Sequence, residues 1–243
     1  MTKDLLWRGM LAGVLAALLA TLFARVYAEP LIDRAIAFEE SHESHAHGAA
    51  HGYDAEDAPV SRATQRGAGL ATAVLVYGAA VGGVFALVFA YCYGRLGRIG
   101  PRTLAVVIAV LGFLVVVIVP GLKYPPNPPA VGNGATIQLR TAAYFGMIAI
   151  SIVALVLAGR VRLALKRRIG AFNALFAAAA VYVVAVLLAQ IGLPVIDEVP
   201  ADFSASLLWN YRVAAIGVQV ILWAMLGLGF GWLAERRLKV GAR

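Results

Sequence analysis

The sequence has one cysteine, Cys92, so neither an internal disulfide nor a cysteine-based metal cluster is open to it. It has no G-x-x-x-x-G-K-[ST] string, which excludes ATP binding through a P-loop in this chain. Histidine occurs only as His42, His45, His47 and His51, all in one short stretch. No Ser-His-Asp or Cys-His catalytic set can therefore be assembled elsewhere, and no enzymatic activity is expected. Charge is scarce too. Only 14% of the 243 residues are Asp, Glu, Lys or Arg, against about 25% in an ordinary soluble domain.

What fills the chain instead is apolar sequence in long runs: 61% of residues are hydrophobic and the mean hydropathy is +0.81. A membrane-spanning helix needs ~20 apolar residues. Six stretches qualify, at Leu5–Ala28, Ala68–Tyr93, Thr103–Gly121, Thr141–Gly159, Ala171–Leu193 and Val213–Ala234. The runs do not alternate as barrel strands would. The expectation is an all-α, polytopic membrane protein, a bundle of about six transmembrane helices forming one integral membrane domain over residues 1–243. The start, "MTKDLLWRGMLAGVLAALLATLFARVYAEP", also obeys signal-peptide grammar, and cleavage after Ala28 would leave five spans. Glycines recur inside the runs, as in "YGAAVGGVFA" and "LGLGFGW", where small residues let helices approach closely. The runs contain no Asp or Glu near a midplane, which argues against a simple proton-coupled carrier with a buried carboxylate. Thr21, Thr72, Ser151, Asn173, Gln190, Gln219, Met10, Met147 and Met225 are read as packing groups rather than ligands.

A net charge of +8 could suggest nucleic acid, but its distribution reads as topology. With the N-terminus inside, 14 of 21 basic residues fall on the inner side: Lys3, Arg8, Arg95, Arg98, Arg102, Arg160, Arg162, Lys166, Arg167, Arg168, Arg236, Arg237, Lys239 and Arg243. Short cytoplasmic loops carry such an excess. Of 13 acids, only Asp4 and Glu235 join them. Eight of the remainder lie in the first outer loop: Glu29, Asp33, Glu39, Glu40, Glu43, Asp54, Glu56 and Asp57. The expected placement is an inner (plasma) membrane of bacterial type, with both termini cytoplasmic and a His- and acid-rich extracytoplasmic loop at 29–67. Lipid, not nucleic acid, is the environment these charges fit.

The unusual sequence lies on the outer side. Pro30 suits the first turn of a helix that runs on through Phe38. If that helix passes Glu40, Glu43 and His47 fall one turn apart, and His42 and His45 share a face. "VPGLKYPPNPP" holds five prolines between Pro120 and Pro129, which predicts extended or turn geometry and no helix. Pro194 and Pro200 bracket Asp197 and Glu198 in a third rigid connection.

Imidazole is the favoured ligand of Zn, Cu, Ni and Co ions, with carboxylates in support. The spacing H-x2-H-x-H-x3-H places several imidazoles within reach of one ion. His42, His45, His47 and His51, with Glu39 and Glu43, are the candidate ligands of a divalent transition metal. Around them, Glu29, Asp33, Asp197, Glu198 and Asp202 are candidates for an outer vestibule. Tyr124 and Asn127 of the proline-rich loop would frame it, and Lys123, Arg140 and Arg212 would hold its acids in place.

These outer motifs carry a family resemblance. "ARVYAEPLIDRAIAFEE" at Ala24–Glu40, "SRATQRGAGL" at Ser61–Leu70, "KYPPNPPAVG" at Lys123–Gly132 with Thr136 and Arg140, and "PVIDEVPADF" at Pro194–Phe203 with "LLWNYR" at Leu207–Arg212 resemble the CbtA family of cobalt-transporter subunits. The likeness runs over essentially the whole chain. One departure is Ser204, where the family often has proline after Phe203. The resemblance implies cobalt uptake linked to cobalamin metabolism, with a small single-span CbtB-type partner. No permanently bound cofactor is expected; the metal is cargo, Co2+ or Ni2+. The rival expectations are a non-transporting metal sensor or scaffold, and a membrane enzyme with outer-face chemistry in KYPPNPP and IDEVP.

Overall fold

The computed structural model describes residues 2–46, 69–97 and 99–240. Among these residues the fold is all-helical, with no strand. Helix α1 is Thr2–Tyr27 and α2 is Glu29–Ala46; α3 is Leu70–Cys92 and α4 is Pro101–Lys123. One long helical stretch, Ile137–Gly192, is broken at Gly170, whose φ of 82° only glycine adopts without strain. It is two helices, α5 over 137–169 and α6 over 171–192. Helix α7 is Ala205–Lys239. Counted with that break, the long apolar helices number six, as the hydropathy pattern predicts. The protein is a multi-pass membrane protein.

Two compact units make up the chain: Met1–Leu111 with Trp209–Arg243, and Gly112–Leu208. In the first, α1 and α3 pack antiparallel along two G-x-x-x-G faces. Gly9 and Gly13 on α1 meet Gly82 and Gly78 on α3. A Cβ at Gly78 would lie 2.7 Å from the Gly13 carbonyl, and one at Gly82 would lie 2.8 Å from the Gly13 Cα. The helices touch backbone to backbone, which only glycine permits. Gly227 and Gly231 of α7 do the same work against Ala109 and Ala105 of α4.

In the second unit, α5 and α6 fold back on each other after Gly170. Ser151 is fully buried and lies 2.9 Å from the Tyr182 hydroxyl. Met147 is buried with Val186 and Val119, so it acts as packing here. The outer faces of these helices stay apolar and exposed: Val156 is 59% accessible, Leu188 64% and Ile191 81%. Such surface suits hydrocarbon and would be a liability in water.

One expectation needs correction. The proline-rich segment is not wholly non-helical, because Pro120 lies inside α4. Proline lacks the N–H of the usual i→i−4 bond and crowds the preceding turn. The wider π turn at Leu114–Ile118 directly precedes it and absorbs the mismatch. From Tyr124 the chain leaves the helix as expected, and 125–128 carry no regular structure.

Candidate functional site

The motif-rich loops of the Gly112–Leu208 unit meet in a polar clasp. Its centre is Glu198, on the connection between α6 and α7. Its carboxylate accepts the Asn133 backbone N–H at 2.7 Å, and the Thr136 hydroxyl donates to its other oxygen. Arg140 Nε stands 3.4 Å away as an ion pair. The Thr136 hydroxyl and then the Asn133 amide hold the Glu198 carboxyl below its ordinary value; burial pushes upward by less than either, and the Arg140 charge adds the smallest downward pull.

The local sequence explains why those donors converge. Asn133 Oδ1 caps the turn Gly134–Thr136 by accepting from Ala135 N at 2.9 Å. That turn leads into α5, so Glu198 sits at a helix start, where free N–H groups favour an anion. Gly132, at φ 143°, lets the backbone pass directly beside the Arg140 guanidinium. Arg140 also donates to the Asn133 carbonyl at 3.3 Å.

A second tie lies beside the first. Lys123 Nζ donates to the Gln190 backbone carbonyl at 2.5 Å. That carbonyl is in the last turn of α6, where it has no helical partner, so the lysine acts as a C-terminal cap. In return the Gln190 side chain donates to the Val119 carbonyl at 3.2 Å. The Tyr124 hydroxyl donates to the Pro194 carbonyl at 2.8 Å, and burial pushes the phenol upward. Asp197 stays exposed and its Oδ1 lies 3.5 Å from Val199 N. Asp202 is exposed and Asn127 half-buried.

The residues expected to frame a vestibule therefore do bring two loops together, but by a different chemistry for Lys123. Its partner is a helix-end carbonyl, not an acid. Arg140 does hold an acid, Glu198. Glu198 itself is engaged on both oxygens. Asn133 is a contributor that sequence reasoning missed, and Gln190 is one it read only as a packing group. The Asn-Gly pair before an apolar run was a legible capping signal; Gln190 gave none, because its role depends on which helix ends lie side by side.

The first unit holds the remaining candidates. Glu29 and Asp33, one turn apart on α2, line a cavity of about 430 Å³ together with Arg25, Thr21, Tyr77 and Gln219. Its remaining walls are apolar, with Ala17, Ala20, Ala24 and Ala28 on one side and larger residues such as Ile32, Leu70 and Leu222 elsewhere. Arg212, half-buried, is on α7 in this unit. Glu39 is exposed on α2. The helix does run past Glu40, and its backbone includes His42, Glu43 and His45, whose side chains lie outside the described residues. His47 and His51 lie outside them altogether. Among the described residues, no three His, Cys, Asp or Glu side chains converge as a metal site.

Neither a curated protein nor a solved structure matches the chain. A family model described as probable cobalt transporter subunit (CbtA) matches residues 2–235.

Proposed function

The chain belongs to the CbtA family of probable cobalt transporter subunits, and from that premise we propose that it is the membrane subunit for uptake of a divalent transition-metal ion, cobalt before nickel. The match across residues 2–235 carries this reading. The charge pattern supports the direction, since 11 of 13 acids fall on the side placed outside. A surface of that sign concentrates cations before they reach the membrane.

In this reading both termini are cytoplasmic. The His42–His51 stretch, with Glu39 and Glu43, collects the ion. Glu29 and Asp33 stand beside a cavity in one unit, and Asp197 and Asp202 are exposed acids of the other. Glu198, Arg140, Lys123 and Tyr124 keep the two rigid loops in register rather than meet the metal. Asn127 of the one unit and Arg212 of the other are each kept as candidate vestibule residues within their own unit. The word subunit in the family description suits a partner, and a small single-span CbtB-type chain is the one proposed. The chemistry is binding and passage, with no catalytic step.

The test is uptake of labelled cobalt into proteoliposomes holding this chain alone, and with its partner. Metal-dependent flux in either preparation, reduced by excess unlabelled cobalt, is expected. Absence of flux in both overturns the proposal.

A further inference from the structure

The unit Met1–Leu111 with Trp209–Arg243 is layered along its helices. At the level of Thr21, Tyr77 and Gln219, helices α1, α2, α3 and α7 surround the cavity beside Glu29 and Asp33. At about 30 Å³ per water, a cavity of about 430 Å³ has room for an ion with its hydration shell.

Further along the same helices the space closes. Past the glycine seam of α1 and α3, the ring of Phe230 meets Phe85 at 5.5 Å and Phe89 at 5.0 Å, both edge to face. Leu5, Leu104 and Leu226 fill in around them and are at most 1% accessible. The buried centre of this layer is apolar, with Tyr93 stacked on Phe89 at 5.6 Å and Cys92 at its edge.

Beyond the plug comes a belt of charge. Arg237 pairs with Asp4 at 2.9 Å. Glu235 accepts from Arg102 at 2.6 Å and from Lys239 at 3.2 Å. Arg8 donates to the Leu233 carbonyl at 3.3 Å. The belt thus ties the start of α1, the start of α4 and the end of α7. Two acids hold the basic groups together here, although cations dominate this end of the sequence. Without Glu235, Arg102 and Lys239 would face each other unscreened.

We propose that the Phe85–Phe89–Phe230 plug and the Asp4–Arg237 and Arg102–Glu235–Lys239 belt form a closed gate, so that the cavity is reached in turn from the Glu29 end and, when the belt parts, from the Asp4 end. This rests on the transport reading above. The two layers divide the task. The apolar plug excludes water and ions while shut. The belt lies at a partly accessible surface, where each ion pair biases an equilibrium by no more than about five-fold, so it can part without unfolding the helices.

The test uses the full chain in sealed liposomes of known orientation. Cys92→Ser removes the only thiol, and Gln219→Cys or, separately, Thr21→Cys reports from the cavity. A membrane-impermeant maleimide is supplied to one face at a time. With the belt intact, labelling comes from the face next to Glu29. Glu235→Gln and Asp4→Arg are each expected to raise labelling from the opposite face about two- to five-fold, and adding Arg237→Asp to Asp4→Arg is expected to restore the original pattern. Opposite-face labelling that neither variant changes overturns the gate. So does a rise in Asp4→Arg that Arg237→Asp does not reverse, which marks general loosening. Labelling needs no metal. Missing cobalt flux with a responsive belt therefore defeats the substrate assignment alone, and normal flux with an unresponsive belt defeats the gate alone.

Discussion

At the residue scale, the informative side chain is Glu198. Three donors from one neighbouring segment favour its ionised form, so its carboxyl titrates below the ordinary 4.5. A depressed folded value means that the stabilisation is fully present above 4.5 and is lost as pH falls through the lower, folded value. The thermal midpoint gap between wild type and Glu198→Gln in detergent is thus expected to be open at pH 7 and to close below about 4.5. A gap independent of pH would contradict the assigned ionisation. Gly132 tests the same clasp from the backbone. An alanine there is strained at φ 143° and its Cβ would strike the Arg140 guanidinium. Gly132→Ala is expected to lower stability by about 1–3 kcal/mol, and less in an Arg140→Ala background, where the steric part is gone. A double-mutant cycle by thermal unfolding reads that difference.

At the scale of elements, the glycines fall into two groups that sequence alone cannot separate. Gly82 faces backbone across the α1–α3 seam, whereas Gly159 of α5 has nothing within 4 Å of an added Cβ. Gly82→Ala must push the helices apart and is expected to cost about 1–3 kcal/mol. Gly159→Ala is expected to be neutral or to stabilise by up to about 1 kcal/mol, since alanine is the better helix former. Thermal unfolding of the two variants side by side decides it. The histidine stretch is the other element with a defined test. His42 and His45 fall on the backbone of α2, and His47 and His51 lie outside the described residues. Deleting His42–His51 is expected to raise the cobalt concentration for half-maximal uptake several-fold and leave the maximal rate nearly intact. Lost uptake at saturating cobalt would make the stretch part of the passage itself. Because imidazole binds metal only when neutral and titrates near ~6.5, the advantage it confers is expected to fade between pH 7.5 and 5.5.

At the scale of the whole molecule, charge and geometry agree on one point. Asp4 and Arg237 are bonded, so the two ends of the chain lie together. An even number of crossings requires the same. With basic residues gathered at that end, epitope tags at both termini are expected to resist protease added outside right-side-out vesicles, and to be cleaved once the vesicles are opened. Cleavage of either tag in intact vesicles would reverse the orientation.

Much of this protein was legible from composition. Long apolar runs leave a chain no choice but helix in a membrane, because hydrocarbon offers no partner for a free peptide group. The six helices follow from that constraint and the loop after Tyr124 from its prolines, whereas which of the glycines sit in helix contacts did not. The exception, Pro120 inside α4, arises because a π turn gives proline the room that a regular helix lacks. Tertiary structure alone decided which polar groups satisfy which. Lys123 ends on a carbonyl 67 positions away, and Glu198 on the helix start that carries Asn133 and Thr136. Those pairings depend on the lateral order and register of helices, and hydropathy, which averages over a helix's whole circumference, contains neither.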